Sequence, residues 1–304
     1  MNQYAMGIDI GGSHLSTCIL ELSSGRLIRE SLRKKEIDNQ ASATVIINVW
    51  TSCIQESLAA LDVPLVGLGF AFPGPFDYAN GICRIEGVNK FSRLYGLDVT
   101  YSLLSALKWQ VKIPMRYIND AGAFALGEAV GGCARDFRRI IALTLGTGVG
   151  SGFIADKQLI ESGPAVPKQG WVYHLPFEGG IADEAFSTRW FCRRFFELTG
   201  NRVSGAKEIA EQASTQPLAR QLFREYGRRL AQFVLPLVRQ FGAECLVLGG
   251  NISQAYSLFQ PSLEEYFHQQ KEKLTVRLSS LRDNAAMLGA ASLFRENECI
   301  NEKL

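Results

Sequence analysis

Short apolar runs alternate with longer stretches of helical periodicity along this chain of 304 residues. Short apolar runs bounded by glycine or proline predict strands, and apolar positions recurring every three or four residues predict helices. The predicted strands are 5–10, 15–21, a strand after Ser23–Gly25, 66–72, 115–119, two within 139–155, and one at the start of 244–253. The predicted helices are 41–60, 101–108, 121–129, 183–199, 217–240 and 285–294. Such alternation is typical of an α/β fold.

The first hairpin of the chain is echoed near its middle. Segment 7–19 (GIDIGGSHLSTCI) lies over segment 142–154 (ALTLGTGVGSGFI) at a shift of 135 positions. Both have the pattern strand, glycine-containing turn, strand. A repeated hairpin at the head of each half predicts two duplicated α/β lobes facing one cleft. A chance match between two glycine-rich hairpins is the alternative.

Both hairpin turns have the composition of a phosphate-binding loop. Glycine permits positive φ and close backbone approach, so amide N–H groups can point at phosphate oxygens. Asp9 precedes the first turn, and a carboxylate beside a phosphate loop suits Mg²⁺. For either turn alone, a plain tight hairpin is the simpler interpretation. Neither turn matches a Walker or a dinucleotide-binding loop, because no Gly-Lys-Ser/Thr follows and Gly11-Gly12 leads into a strand.

Asp120 is the sharpest candidate for catalysis. It lies between a predicted strand and a predicted helix, where the helix dipole favours the ionised carboxylate that can accept a proton from a hydroxyl. Asn119 beside it offers a donor and an acceptor to a polyol. The competing interpretation is that Asp120 is only a helix N-cap, for which aspartate is a preferred residue.

Composition and charge restrict the classes of partner. The formal net charge of +2 provides no electrostatic footprint for nucleic acid. No apolar run approaches the roughly 18 residues of a membrane span, and no leader pattern precedes the first strand. The seven cysteines are scattered and form no Cys-x-x-Cys pair, which indicates a reducing compartment. We therefore expect a cytoplasmic protein that binds neither nucleic acid nor membranes.

An ordered set of motifs spans nearly the whole chain and resembles the ROK family of sugar kinases. The motifs are Asp9-Ile10-Gly11-Gly12-Ser13, Phe72-Pro73-Gly74-Pro75, Gly87-Val88-Asn89, Asn119-Asp120-Ala121, Leu145-Gly146-Thr147-Gly148-Val149-Gly150, Leu248-Gly249-Gly250-Asn251-Ile252-Ser253 and Leu288-Gly289-Ala290-Ala291. The resemblance implies two actin-like (ribonuclease H-like) α/β lobes flanking a nucleotide and sugar cleft. We expect one lobe over 1–118 plus 285–304 and the other over 119–284.

The resemblance also implies roles for individual residues. Asp120 would be the general base that takes the proton from the attacking sugar hydroxyl, and Asp9 would hold Mg²⁺ through water. The residues implied to bind ATP are Asp9, Gly11, Gly12, Ser13, His14, Gly146, Thr147, Gly148, Gly249, Gly250 and Asn251. The residues implied to bind the sugar are Gly74, Asn89, Asn119, Asp120, His174 and Asp183.

The middle of the chain departs from the family pattern. Members carry Glu-x-Gly-His followed by a zinc-binding cysteine cluster, whereas this chain has Trp171 in place of the glutamate, keeps His174, and lacks the cysteines. We therefore expect no zinc site. Asp183, four residues before Ser187, matches the family's sugar-binding glutamate, with Glu184 as the alternative. Trp171 leaves the choice of sugar open, and a packed core histidine is the alternative for His174.

These features together predict an ATP- and Mg²⁺-dependent hexose kinase of the glucokinase type. An N-acylhexosamine kinase, acting on N-acetylmannosamine or N-acetylglucosamine, is one alternative. A non-catalytic sugar sensor is another, although it would be expected to have lost Asp120. The resemblance further implies a homodimer.

Overall fold

A computed structural model describes residues 2–87, 90–109 and 113–295. The contacts divide these residues into two compact units. Unit one contains the described residues up to Gly131 and those from Asp283 onward, and unit two runs from Gly132 to Arg282.

Unit one is built on a five-stranded sheet. Its elements before the crossing to unit two are β1 (Tyr4–Ile10), β2 (His14–Glu21), β3 (Arg26–Glu36), α1 (Ala43–Leu58), β4 (Leu65–Phe72), β5 (Phe76–Asp77), β6 (Ile82–Cys83), α2 (Val99–Leu107), β7 (Met115–Asn119) and α3 (Asp120–Gly131). The strand order is β3-β2-β1-β4-β7, with β1, β2 and β3 antiparallel and β1, β4 and β7 parallel. On one face of the sheet the buried Trp50 of α1 packs edge-on against Phe72 and Phe91.

Unit two repeats this arrangement. Its elements are β8 (Arg139–Leu145), β9 (Val149–Ala155), β10 (Gln158–Leu159), β11 (Pro176–Phe177), β12 (Gly180–Ile181), α4 (Ala182–Phe186), α5 (Thr188–Thr199), α6 (Ala206–Gln212), α7 (Pro217–Phe241), β13 (Cys245–Gly249), α8 (Tyr256–Gln269) and β14 (Thr275–Leu278). The strand order is β10-β9-β8-β13-β14, again two antiparallel pairings followed by two parallel ones. Tyr226 of α7 lies at the centre of the core, in ring contact with Phe186, Phe191 and Phe259.

The shared strand order confirms the duplication predicted from the hairpin echo. The two hairpins differ by one residue in the turn, because Ile10 pairs with Leu15 whereas Leu145 pairs with Val149. A gapless shift of the sequence therefore matches the outgoing strands and misplaces the returning strand by one position.

The chain returns to unit one through helix α9 (Ala285–Ser292), which packs against α3. This contact is very close, because a Cβ atom on Gly127 would lie 2.0 Å from the carbonyl oxygen of Ala285. Likewise, a Cβ atom on Gly289 would lie 1.8 Å from the carbonyl oxygen of Ala123. The boundary predicted after residue 118 therefore differs from the observed one by a whole helix. Helix α3 belongs with unit one since its small residues bury α9.

Several elements of unit two differ from the sequence-based expectation. The predicted helix 183–199 is two helices, α4 and α5, because Ser187 has extended backbone with φ −91° and ψ 170°. Helices α6 and α8 and strand β14 were not predicted. Among the described helices none is both long enough and apolar enough to cross a membrane.

Candidate functional site

Polar residues of unit one lie where its parallel strands end. Asp9 is near the end of β1, Gly74 follows β4, and Asn119 and Asp120 end β7 and begin α3. The register places these strand ends side by side, since Asp9 pairs with Ala71 and Phe72 pairs with Asn119. Ligands of α/β sheets commonly bind outside the carboxyl ends of the strands. This edge of the sheet is the candidate site of unit one.

The carbonyl groups of Gly12 and Ser13 in the first turn accept hydrogen bonds from other protein groups. The Gly12 carbonyl accepts a hydrogen bond from the Asn39 side chain. The Ser13 carbonyl accepts one from the Ile37 N–H at 2.8 Å. Among the described residues, the N–H groups of Gly12 and Ser13 have no partner. Two free donors on a turn with its acceptors occupied form a concavity suited to an anion.

His14 begins β2 beside this turn, and its Nδ1 lies 3.2 Å from the Ser13 hydroxyl. The predicted positive φ is absent at Gly11 and Gly12, and also at Gly146 and Gly148. None of these four glycines has a left-handed conformation, and a Cβ atom on Gly146 would meet no atom within 4 Å.

The helix cap expected of Asp120 is made mainly by Asn119. The Asn119 Oδ1 atom accepts hydrogen bonds from the N–H groups of Ala121, at 3.1 Å, and Gly122, at 3.4 Å. Its Nδ2 donates to the Tyr78 hydroxyl at 3.1 Å, and that hydroxyl donates to the Phe72 carbonyl at 3.1 Å. Asn119 thus uses its side chain within the protein, and a contact from it to a sugar stays a prediction.

Asp120 opens to solvent at the start of α3, and its Oδ1 accepts the Ala121 N–H at 2.9 Å. Loss of solvation among the surrounding protein atoms raises the pKa of Asp120. The Ala121 hydrogen bond and the charge of Lys90 oppose this rise. A carboxylate with a raised pKa is a stronger proton acceptor, which suits a general base.

Asp9 is a second carboxylate of this edge with a raised pKa. Burial raises its pKa to about 7, and the charges of Asp120 and Asp283 add to the rise while Lys34 opposes it. A divalent cation would relieve this repulsion, and carboxylate oxygen is a ligand that Mg²⁺ prefers. Within the described ranges no three His, Cys, Asp or Glu residues are grouped to hold a metal. That Asp9 helps to hold Mg²⁺, with phosphate and water as the other ligands, stays a prediction.

Unit two presents a second turn of the same kind. The Gly146 carbonyl accepts hydrogen bonds from the Thr188 N–H at 2.8 Å and the Thr188 hydroxyl at 3.0 Å. The Thr147 carbonyl accepts one from Arg189 at 2.9 Å, and the Gly148 carbonyl accepts the Gly146 N–H at 3.0 Å. In the part of the chain that the structure describes, the N–H groups of Thr147 and Gly148 have no partner. This turn is therefore a second candidate anion site.

Asp183 contacts this turn. Its Oδ1 accepts the Val149 N–H at 2.8 Å, and its Oδ2 pairs with Arg189. Both oxygens have protein partners, so its predicted contact to a sugar has no support from the geometry. Glu184, the alternative, is exposed and lies beside Gly180.

Gly249 ends β13, which pairs in parallel with β8, and Gly250 and Asn251 follow it. Gly250 has φ +81°, and a Cβ atom there would lie 2.4 Å from the Leu145 carbonyl oxygen. Only glycine fits this position. Its carbonyl accepts a hydrogen bond from the Ser253 hydroxyl at 2.7 Å. The structure thus brings the Gly249–Asn251 segment next to the strand that leads into the second turn.

The loop with Trp171 and His174 is anchored from both sides. The Ser151 hydroxyl bonds the backbone at Gly170 and Val172, at 2.6 and 3.0 Å. The Asp183 N–H donates to the Tyr173 carbonyl at 2.9 Å. His174 is exposed and its ring contacts that of Tyr173, so the core alternative for His174 is wrong. Asn89, the remaining predicted sugar ligand, lies outside the described residues.

Four residues of these sites were not predicted from the sequence. They are Asn39, Tyr78, Thr188 and Arg189. Each acts on a partner far along the chain, and no local pattern marks such a contact. The only usable signal was that Thr188 and Arg189 directly follow Ser187 at a predicted helix.

Comparison with known proteins identifies the family. The family model described as the ROK family matches residues 5–297, so this chain belongs to the ROK family. The predicted resemblance is confirmed.

Individual relatives and structures agree with this assignment. The chain is 28% identical to a glucokinase of Thermotoga maritima over 96% of this chain and 97% of that protein. It is 27% identical to an N-acetylmannosamine kinase of Escherichia coli, over 95% of this chain and 97% of that protein. The crystal structure of a ROK hexokinase from Thermus thermophilus matches with a TM-score of 0.80 at 20% identity, over 95% of this chain and 97% of that one. The fold is the actin-like α/β fold of the ROK sugar kinases, as predicted.

Proposed function

We propose that this protein is an ATP-dependent sugar kinase that phosphorylates a hexose hydroxyl, with glucose as the leading candidate. The observation that carries the proposal is the environment of the Asp120 carboxylate. This carboxylate has a raised pKa because the surrounding protein atoms reduce its solvation, and Asn119 makes much of the helix cap that would otherwise explain an aspartate here. Each of the two turns also has free N–H donors, which suit phosphate oxygens.

The reaction follows from these groups. The sugar hydroxyl oxygen bonds to the γ-phosphorus of ATP while the bond from that phosphorus to the β–γ bridging oxygen breaks. The hydroxyl proton passes to the Asp120 carboxylate, and ADP leaves. Asp9 would help to hold Mg²⁺, and such an ion would supply positive charge that neutralises part of the phosphate charge. A positioned base contributes about 10²–10⁴-fold to such a rate.

The sugar is tested by a coupled assay of ADP release with Mg-ATP. The panel is glucose, mannose, fructose, allose, N-acetylglucosamine and N-acetylmannosamine. We expect the highest kcat/KM with glucose, as the similarity to a glucokinase over nearly the full length supports. No sugar-dependent ADP release on any member, with sugar binding still seen by calorimetry, would contradict the kinase and favour a sensor.

An N-acylhexosamine kinase is the second candidate. It is favoured by Trp171 in place of the family's glutamate, since an indole offers an apolar face and one donor. It is also favoured by the similarity to an N-acetylmannosamine kinase. Highest kcat/KM with an N-acetylated sugar in the same panel would select it. We further expect the protein to be cytoplasmic and to form a homodimer. Light scattering on the purified protein would test the homodimer by measuring whether its mass is that of two chains.

A further inference from the structure

The second turn is joined to the start of α5 by an ion pair. Arg189 is the second residue of that helix, and its side chain is 60% exposed, against 24% for Asp183. Its Nη2 donates to Asp183 Oδ2 while its Nη1 donates to the Thr147 carbonyl at 2.9 Å. The other oxygen of Asp183 accepts the Val149 N–H at 2.8 Å. The pair therefore grips the turn on both sides of Gly148.

These contacts determine how the peptide groups of the turn are oriented. The Thr147 carbonyl and the Val149 N–H belong to the two peptide groups that flank Gly148, and each is held by one member of the pair. The peptide group between Thr147 and Gly148 carries the Gly148 N–H, so holding its carbonyl also aims that N–H. Without these contacts the peptide groups of the turn could rotate, and the Gly148 N–H would then no longer point in the direction needed to bind a phosphate oxygen.

Contacts with the protein fix the orientation of both side chains. Arg189 donates from both of its Nη atoms to protein acceptors, which holds the plane of its guanidinium beside the turn. Both oxygens of Asp183 are engaged as well. Space is also filled on this side, since a Cβ atom on Gly148 would lie 2.8 Å from Asp183 Oδ1. The Asp183 carboxylate is therefore packed directly against the Gly146–Gly148 turn.

We propose that Asp183 and Arg189 are positioning residues that hold the Gly146–Gly148 turn in the shape that binds the phosphates of ATP. This inference rests on the proposed function for its choice of ligand. It reassigns Asp183 from the sugar to the nucleotide. Charge-assisted hydrogen bonds are the stronger kind, and one such bond is worth about a tenfold to hundredfold change in an equilibrium constant.

The test is calorimetric titration of the full-length protein with Mg-AMPPNP, which needs no turnover. We expect Arg189→Gln and Asp183→Asn each to raise the Kd for Mg-AMPPNP about tenfold to a hundredfold. The double variant is expected to lose less affinity than the sum of the two single losses, because the ion pair between Asp183 and Arg189 couples their contacts to the turn. Arg193→Gln, at an exposed arginine on the same helix, is the control and should bind as the wild type does.

Two further readouts separate a positioning role from a structural one. Arg189→Lys keeps the charge and one donor, so it should recover part of the lost affinity and melt near the wild-type temperature. The panel sugar with the highest turnover should bind both single variants with a Kd within about twofold of the wild type. If one of the two single variants does not fold, the other decides the question, because unchanged nucleotide affinity there overturns the proposal.

The outcomes distinguish this proposal from the proposed function. Weaker sugar binding with intact nucleotide binding in Asp183→Asn would return Asp183 to the sugar and overturn it. Wild-type nucleotide affinity in both single variants, or no Mg-AMPPNP binding by the wild type, would overturn it too. If the wild type binds Mg-AMPPNP but phosphorylates no sugar, the proposed function fails while the comparison of nucleotide affinities still judges the ion pair.

Discussion

Asp9 shows how a single carboxylate can make stability depend on pH. Its pKa is raised to about 7 in the folded protein, against roughly 3.9 for an aspartate in an unfolded chain. Between these values the folded state keeps a proton that the unfolded state has released. Stability therefore falls as pH rises through this window, and the penalty is complete above about pH 7.

Replacing Asp9 by Asn should remove this penalty. We expect Asp9→Asn to raise the melting temperature of the ligand-free protein by roughly 3–6 °C at pH 8 and by less than about 1 °C at pH 4.5. The measurement is a set of thermal melts of both proteins across this pH range. If the two proteins differ in melting temperature by the same amount at both pH values, the ionised form of Asp9 does not destabilise the folded protein.

The hydroxyl of Ser187 offers a second test at the level of one residue. Ser187 is fully buried, and its Oγ has no hydrogen-bond partner among the described residues. Removing an unpaired buried hydroxyl relieves its desolvation, so Ser187→Ala should be neutral or stabilising by up to about 1 kcal/mol. Urea unfolding measures this change.

Ser151→Ala is the matched comparison. The Ser151 hydroxyl donates to the Gly170 carbonyl at 2.6 Å and accepts the Val172 N–H at 3.0 Å. Its loss leaves two buried backbone groups unpaired and should cost about 1–3 kcal/mol. Equal losses of stability in the two variants would mean that Ser187 makes a hydrogen bond after all.

At this scale the sequence could predict chemistry better than geometry. The position of Asp120 between a strand and a helix was enough to identify a candidate base. The division of labour with Asn119 was not predictable, because either side chain can cap a helix and only their rotamers decide between them. Asp183 is a similar case. The sequence identified it through a family motif, but its ion pair with Arg189 depends on side-chain rotamers and could be seen only in the structure.

Among the elements, α3 and α9 depend on glycine for their contact. A methyl group on Gly289 would lie 1.8 Å from a carbonyl oxygen of α3, and neither backbone can move without disturbing the sheet below. We expect Gly289→Ala to destabilise the protein by about 1–3 kcal/mol or more. Chemical denaturation would measure the loss.

Gly205→Ala is the control for this substitution. Gly205 has extended backbone with φ 174°, and a Cβ atom there would approach no atom nearer than 3.5 Å. Alanine should fit at that position with a loss of no more than about 1 kcal/mol, which arises because Gly205 is the N-cap of α6 and alanine is a poor cap. A Gly289→Ala protein as stable as Gly205→Ala would show that the two helices are not closely packed.

Elements with a strong pattern were predictable and weakly patterned ones were not. Helix α7 carries an apolar stripe along its length and was predicted almost to the residue, with Pro236 inside it. Helix α8 contains Pro261, and strand β14 has no buried residue, so neither gave a clear periodic signal. The break at Ser187 is set by backbone conformation that apolar spacing does not report.

For the molecule as a whole, the duplicated topology explains why two short motifs carry so much information. Each motif marks the first hairpin of a five-stranded sheet, so finding the pair predicts both sheets. The boundary between the units was less predictable, because helix α3 follows the motif at Asp120 and yet packs within unit one. That assignment depends on small residues facing α9, which appear in the sequence only as an alanine- and glycine-rich stretch.

Removal of metal should separate catalysis from folding. We expect dialysis against EDTA to abolish sugar-dependent ADP release and Mg²⁺ alone to restore it, because phosphate charge must be neutralised for transfer. The melting temperature of the ligand-free protein should change by less than about 1 °C, since a folded core of this size needs no metal. A large fall in melting temperature that only zinc reverses would reveal a structural metal site.

The general base is the centre of the proposed mechanism, and Asp120→Asn tests it most directly. The measurement is kcat for ADP release in the presence of the best panel sugar, beside calorimetric binding of that sugar. Asp98→Asn is the control, since Asp98 caps α2 by accepting the Tyr101 N–H at 2.8 Å and asparagine caps equally well. We predict that kcat falls about 10²–10⁴-fold in Asp120→Asn, with sugar binding retained, and is unchanged in Asp98→Asn. A kcat within a few-fold of the wild type in Asp120→Asn would contradict the assignment of Asp120 as the base.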